Sequence, residues 1–97
     1  MYNARLENAE LLSADLTHAN FGNADLTGAN LSEAILWRTK LEDANLTNVI
    51  LDNAIVDRQD WIDYIDSTWN VKGARDIANR YTTKKQGKQQ FILIPKK

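Results

Sequence analysis

From Leu6 onward every fifth residue is large and apolar, without one slip: Leu6, Leu11, Leu16, Phe21, Leu26, Leu31, Leu36, Leu41, Leu46, Leu51 and Val56. Two residues before each stands a small or modest one: Ala4, Ala9, Ala14, Ala19, Ala24, Ala29, Ala34, Thr39, Ala44, Val49 and Ala54. Between the two lies most often Asp or Asn, as at Asp15, Asn20, Asp25, Asn30 and Asn45. A period of five suits neither an α-helix, at about 3.6 residues per turn, nor a long strand with its period of two. Within a unit the small and large positions are two apart and point the same way, as on an extended segment. A turn must then reset the chain in every unit, and the two mostly polar residues after the apolar one suit it.

The pattern A-[DN]-L-x-x over residues 4–58 resembles the signature of the pentapeptide-repeat family. The resemblance implies a mainly β fold, a right-handed quadrilateral β-helix in which four units make one square coil. Residues 1–58 then form about three coils, with both the small and the large positions inside. Coils spaced about 4.8 Å apart make a cylinder only about 13 Å long. So narrow a tube admits bulk on one wall position only, so Ala29→Leu is expected to cost about 1–3 kcal/mol by overpacking. An unchanged melting temperature would contradict the inward placement. Thr39 departs mildly from the pattern, and its hydroxyl needs a backbone partner if it is buried.

With four units to a coil, residues twenty apart share a face. The first face, with Arg5, Asp25 and Asn45, and the fourth, with Asn20 and Lys40, are polar. On the second, Glu10 and Asn30 are followed by Ile50. The third is the unusual one, because Ile35 and Ile55 take the Asp/Asn slot one above the other, with Trp37 and Arg38 alongside. An apolar cluster on a small protein needs a cover or a partner. The chain's own C-terminal segment is the expected cover, and a protein partner is the second reading. Ile35, Trp37, Arg38 and Ile55 are therefore the candidate contact residues.

Residues 59–97 are expected to cap the repeat, since an open coil end exposes unpaired backbone and apolar core. A helix is predicted to start near Asp57–Asp60, with Trp61, Ile62 and Ile65 on one stripe and Trp61, Tyr64 and Trp69 in the core. A second is predicted from Val71 to Arg80, capped by Asn70, followed by strand material at Thr82–Thr83 and Phe91–Ile94 around a Gln86–Gly87 turn. Only Met1 to Asn3 precede the first unit, which leaves that end open, so a monomer or an end-to-end homodimer is expected.

No catalytic, metal or cofactor pattern appears. The one histidine, His18, is an outward turn residue, Ser13 and Ser32 have no partnered base, and there is no cysteine. A filled interior leaves no cavity for a small-molecule substrate, so the protein is expected not to be an enzyme. The first residues show no leader-like pattern and no apolar run nears the roughly 18 residues of a membrane span, so a cytoplasmic protein off the membrane is expected. The resemblance further implies a bacterial source and, as an alternative function, a DNA mimic that inhibits DNA gyrase. Against mimicry, DNA carries a phosphate about every 3.4 Å per strand, so this cylinder would match about four base pairs. Its four faces carry net charges of only −1, −3, 0 and −1. Residues 1–58 hold four basic and nine acidic side chains, and residues 59–97 eight and four. Lys72, Arg75, Arg80, Lys84, Lys85 and Lys88 are therefore an alternative, nucleic-acid-binding footprint. A solvated basic cap beside an acidic coil accounts for them more simply. The primary expectation is a scaffold or protein–protein interaction module.

Overall fold

A computed structural model describes residues 3–96; Met1 and Tyr2, at the end expected to be open, lie outside them. The chain retraces its course every twenty residues. Parallel bridges join Arg5 to Asp25, Glu10 to Asn30 and Asp15 to Ile35, and then Asp25 to Asn45, Asn30 to Ile50 and Ile35 to Ile55. The outcome is β-helix-like, but each unit contributes a single bridged residue between turns, so no repeat strand forms before Ile55. The named elements are β1 (Ile55–Val56), α1 (Trp61–Ser67), α2 (Ala74–Arg80), β2 (Tyr81–Gly87) and β3 (Gln90–Pro95). They include one three-stranded sheet in the order β1-β3-β2.

Local chemistry explains the repeat letters. Each turn closes with the amide of the small residue donating to the carbonyl of the large residue before it, as Ala9 to Leu6 at 3.0 Å and Ala29 to Leu26 at 2.9 Å. The residue before that amide sits in the left-handed region in unit after unit: Asn8, Ser13, His18, Asn23, Gly28, Glu33, Arg38, Asp43, Asn48 and Asn53. Asn and Gly tolerate that region best, and larger side chains carry strain there. Glu33, at φ 60°, is such a case. Glu33→Asn is expected to raise stability by about 1 kcal/mol, and a lowered thermal midpoint would contradict the strain. The Asp/Asn slot has its own reason. Its Oδ1 accepts the amide two residues on, as Thr17 to Asp15 at 3.1 Å, Thr27 to Asp25 at 3.0 Å and Thr47 to Asn45 at 3.0 Å. That bond holds the coil's edge against competing backbone conformations.

The core runs up the axis. Leu26, Leu31, Leu36, Leu41, Leu46 and Leu51 are buried, with Ala24, Ala29, Ala34, Ala44 and Ala54 beside them. The first coil differs, since Leu6, Leu11, Leu16 and their alanines are only half-buried. Thr39 is 2% exposed, and its hydroxyl donates to the Leu16 carbonyl at 2.8 Å, the backbone partner its burial demands.

Residues beyond 58 complete the ladder of the last coil with a different device on each side. The Lys72 amide donates to the Ala44 carbonyl and the Leu46 amide to the Lys72 carbonyl, at 3.0 and 2.8 Å. The Arg80 guanidinium donates to the Val49 carbonyl at 2.8 Å, and the Leu51 amide donates to the Tyr81 hydroxyl at 2.9 Å. The Leu93 amide donates to Ala54, and the Asn53 amide to Leu93, at 2.9 and 2.8 Å. Tyr81 in turn donates to Asp52 at 2.6 Å. Burial, first, and the Asp52 carboxylate push its phenol above the ordinary tyrosine range. Tyr81→Phe strands the buried Leu51 amide and is expected to cost about 1–3 kcal/mol in chemical denaturation; an unchanged midpoint would contradict it.

That ladder also corrects the boundaries read from sequence. The second helix starts at Ala74, not Val71, and Gly73 rather than Asn70 stands before it. Trp69 and Lys72 instead bond through their backbones to the coil at Asp43, Ala44 and Leu46, with Asn70 between them at a left-handed φ of 52°, and this long-range bonding overrides local helix propensity. Gly73 has φ 88° and would bring a Cβ within 3.0 Å of the Leu46 backbone, so only glycine fits this close approach. Asp60 precedes α1 but makes no side-chain cap. Its carboxylate is bound by Arg58 instead. Strand β2 runs on through Gly87, so the hairpin turns at Lys88–Gln89, past the expected Gln86–Gly87.

Candidate interaction surface

The third face is a continuous pleated wall. Asp15, Ile35 and Ile55 bridge one above the next, β3 sets Ile92 opposite Ile55, and β2 sets Lys84 opposite Ile92. Directly opposite residues share a side of the sheet, so the row of outward isoleucines lengthens from Ile35 and Ile55 to Ile92. The C-terminal segment therefore extends the apolar face edge-on and does not lie over it as a lid. Extension was favoured because Ala54 and Asn53 need backbone partners, and β3 supplies them.

Ile35, Trp37 and Ile55 are half-exposed and Arg38 is exposed. The Trp37 indole N–H donates to the Gln89 carbonyl at 3.0 Å, which ties the ring to the hairpin turn. The Arg38 guanidinium lies 4.8 Å from the Trp37 ring centroid. Its backbone amide donates to Asp57 at 3.1 Å. The stacked pair separates two small clefts. One, of about 210 Å³, is lined by Thr17, Ile35, Trp37, Ile55 and Gln90. The other, also about 210 Å³, lies at the corner toward α1, with Arg38, Lys40, Arg58, Trp61, Tyr64 and Trp69 among its walls. Tyr64 and Trp69 meet edge to face at 4.9 Å, and the Arg58 guanidinium sits 3.8 Å above the Tyr64 ring. Asp60, bound by Arg58, has its carboxyl held below the ordinary range.

Lys40, Arg58, Tyr64 and Trp69 were not among the residues picked from sequence. Tyr64 and Trp69 were read as core, yet only Trp61 of the three is fully buried. The available signal was their crowding at the repeat's end, but nothing local says which side of a short helix stays open.

A family model described as pentapeptide repeats matches residues 1–32 and 24–58, with 8 copies. The chain belongs to the pentapeptide-repeat family. No curated protein and no solved structure matches it. Membership in the pentapeptide-repeat family fits a structural or protein-interaction module.

The remaining surface of this pentapeptide-repeat chain offers less. A wider concavity, about 520 Å³, is lined by Asn23, Asp25, Asp43, Asn45, Asn70 and Lys72 among others. Asp25 is held below the ordinary carboxylate range by the Thr27 hydroxyl and amide, a bond that keeps it charged and occupied rather than poised as a base. Among the described residues no group of three or more His, Cys, Asp or Glu side chains is placed to hold a metal, and no helix is long and apolar enough to cross a membrane. The six basic residues are spread over the segment before α2, α2 itself, β2 and the hairpin turn. Lys72 lies near Asp25, Arg75 is exposed on α2, and Lys88 sits in the hairpin turn. Arg80 is taken up by Asp76 at 2.8 Å and by Val49. Lys84 and Lys85 are successive on β2 and so face opposite ways.

Proposed function

We propose that residues 1–58 form a right-handed, quadrilateral β-helix of about three coils, that residues 59–97 cap it, and that the protein is a non-enzymatic scaffold or interaction module. Its protein partner docks on the third face, at Ile35, Trp37, Arg38 and Ile55. One observation carries this choice: a half-exposed apolar row on a flat, backbone-tethered wall, interrupted by a stacked Trp37–Arg38 pair with a cleft on either side. Tryptophan and arginine dominate the energetics of protein interfaces when they stand beside pockets that exclude water. The wall's backbone is already bridged and the Trp37 indole already tethered before binding, which limits the ordering entropy lost on association. Cytoplasmic location belongs to the same proposal.

Affinity capture with the full chain tests it. Trp37→Ala should lose the partner, whereas Leu12→Ala should keep it, since Leu12 is 59% exposed on a different face. Equal capture by the two variants overturns the site.

A further inference from the structure

The second cleft departs from the apolar character of its neighbour. Arg38, Lys40 and Arg58 reach its rim, and Tyr64 and Trp69 form an aromatic wall. Two carboxylates stand close by, but both are engaged. Asp60 is paired with Arg58, and Asp57 accepts the Arg38 backbone amide. Among the described residues the Arg38 guanidinium and the Lys40 ammonium make no ion pair. The corner thus presents two uncommitted cations on an aromatic shelf beside an apolar groove. A cleft of about 210 Å³ is below the roughly 300–1,000 Å³ of small-molecule sites and matches a single side chain.

We propose that this pair of clefts reads an extended acidic peptide segment of a protein partner, with an Asp or Glu between Arg38 and Lys40 and an apolar side chain a few residues away in the Trp37 groove. The proposal rests on the third face being the docking surface and adds the chemistry of what docks. Charge complementarity sets the acid's place. An arginine stacked on an indole keeps its in-plane N–H donors free for a carboxylate while its face is occupied. Trp37 lines one cleft and Arg38 the other, and the two side chains stack on each other, so one short stretch of peptide reaches both. The isoleucine groove explains why the ligand is a peptide and not a nucleic acid, which has phosphate but no aliphatic side chain to fill it.

The repeat itself supplies variants that fold. Arg38 occupies the left-handed turn position that Glu33 fills one unit earlier, and Lys40 the slot that Glu10 fills in another unit. The double variant Arg38→Glu/Lys40→Glu therefore reverses the cleft's charge with residues the coil already carries. A displayed library of random twelve-residue peptides is selected against the full chain and against this variant, with matched circular dichroism and melting as the folding control. The expected result is enrichment of peptides holding Asp or Glu near a large apolar residue. Their binding should be at least about tenfold weaker to the variant, the loss of a charge-assisted hydrogen bond, and should weaken with salt. The variant should select Lys or Arg beside the same apolar anchor. Peptides that need Trp37 but show no charge preference overturn the acidic-peptide inference and leave the docking face standing. Peptides indifferent both to Trp37→Ala and to the charge reversal overturn both. No enriched peptide, with labelled oligothymidylate instead quenching the cleft's tryptophan fluorescence, overturns the inference in favour of single-stranded nucleic acid.

Discussion

Replacing Trp61 with alanine is expected to destabilise the protein by about 3–5 kcal/mol, the usual cost of emptying a buried large aromatic site. Trp61 is 2% exposed and stands twenty residues past Leu41, which stands twenty past Phe21. By its number it continues the column Phe21–Leu41 although the repeat has ended and the backbone has turned into α1. All three belong to one buried cluster. For a chain of this size that loss should lower the melting temperature by on the order of 15–30 °C. Total stability of a domain is only about 5–15 kcal/mol, so partial unfolding at 37 °C is an expected outcome. Chemical denaturation measures it, and a loss under about 1 kcal/mol would mean that Trp61 does not close the core. The change also opens the floor of the aromatic cleft, so binding should be compared at a temperature where the variant is folded.

The same letter in the same slot should behave differently along the axis. Leu31→Ala, in the middle coil, is expected to cost about 2–5 kcal/mol, because Leu31 is 1% exposed with coils on both sides. Leu11→Ala, twenty residues earlier, removes a side chain that is already half-exposed and should cost well under half as much. The transfer of a leucine from water scales with the area removed from it, and an open site leaves no enclosed cavity behind. Equal losses at the two positions, measured by urea denaturation, would contradict the stacking order.

Much of this architecture was legible because the constraint is local and repeated. Each unit states its own inward pair, so Leu31 and Ala29 could be placed inside, and the stacking of Ile35 on Ile55 followed from counting by twenty. Thr39 could be seen to need a backbone partner, and the Leu16 carbonyl provides it. The need for a left-handed residue in each turn was written in the asparagines at 8, 23, 48 and 53, but Glu33 and Arg38 obscured it. What could not be read depends on pairing between distant segments. Val71 and Lys72 have a helical context in sequence, yet the bare edge of Ala44 and Leu46 draws Lys72 into a bridge with the coil. Phe91–Leu93 look like a hairpin strand, and nothing local says that they also pair with Ile55 and Val56. The same long-range choice settles the candidate site: β3 beside Ile55 leaves the isoleucines half-open, whereas β3 across them would have hidden them. Tyr64 and Trp69 were read as core on composition, because the open side of α1 is decided by where the last coil ends.

Residue-resolved amide hydrogen exchange on the full chain tests the account most directly, because it asks whether residues 69–95 complete the coil that carries the docking face. Among the described residues the amides of Leu46, Leu51 and Asn53 have their partners in Lys72, Tyr81 and Leu93. They should exchange as slowly as those of Leu26 and Leu31 in the middle coil, whose partners are Asn45 and Ile50. Arg5, Glu10 and Asp15, whose amides find no partner among the described residues, should exchange rapidly. Fast exchange at Leu46, Leu51 and Asn53 would mean that the last coil ends in solvent, and the third face would then lack the strand that extends it.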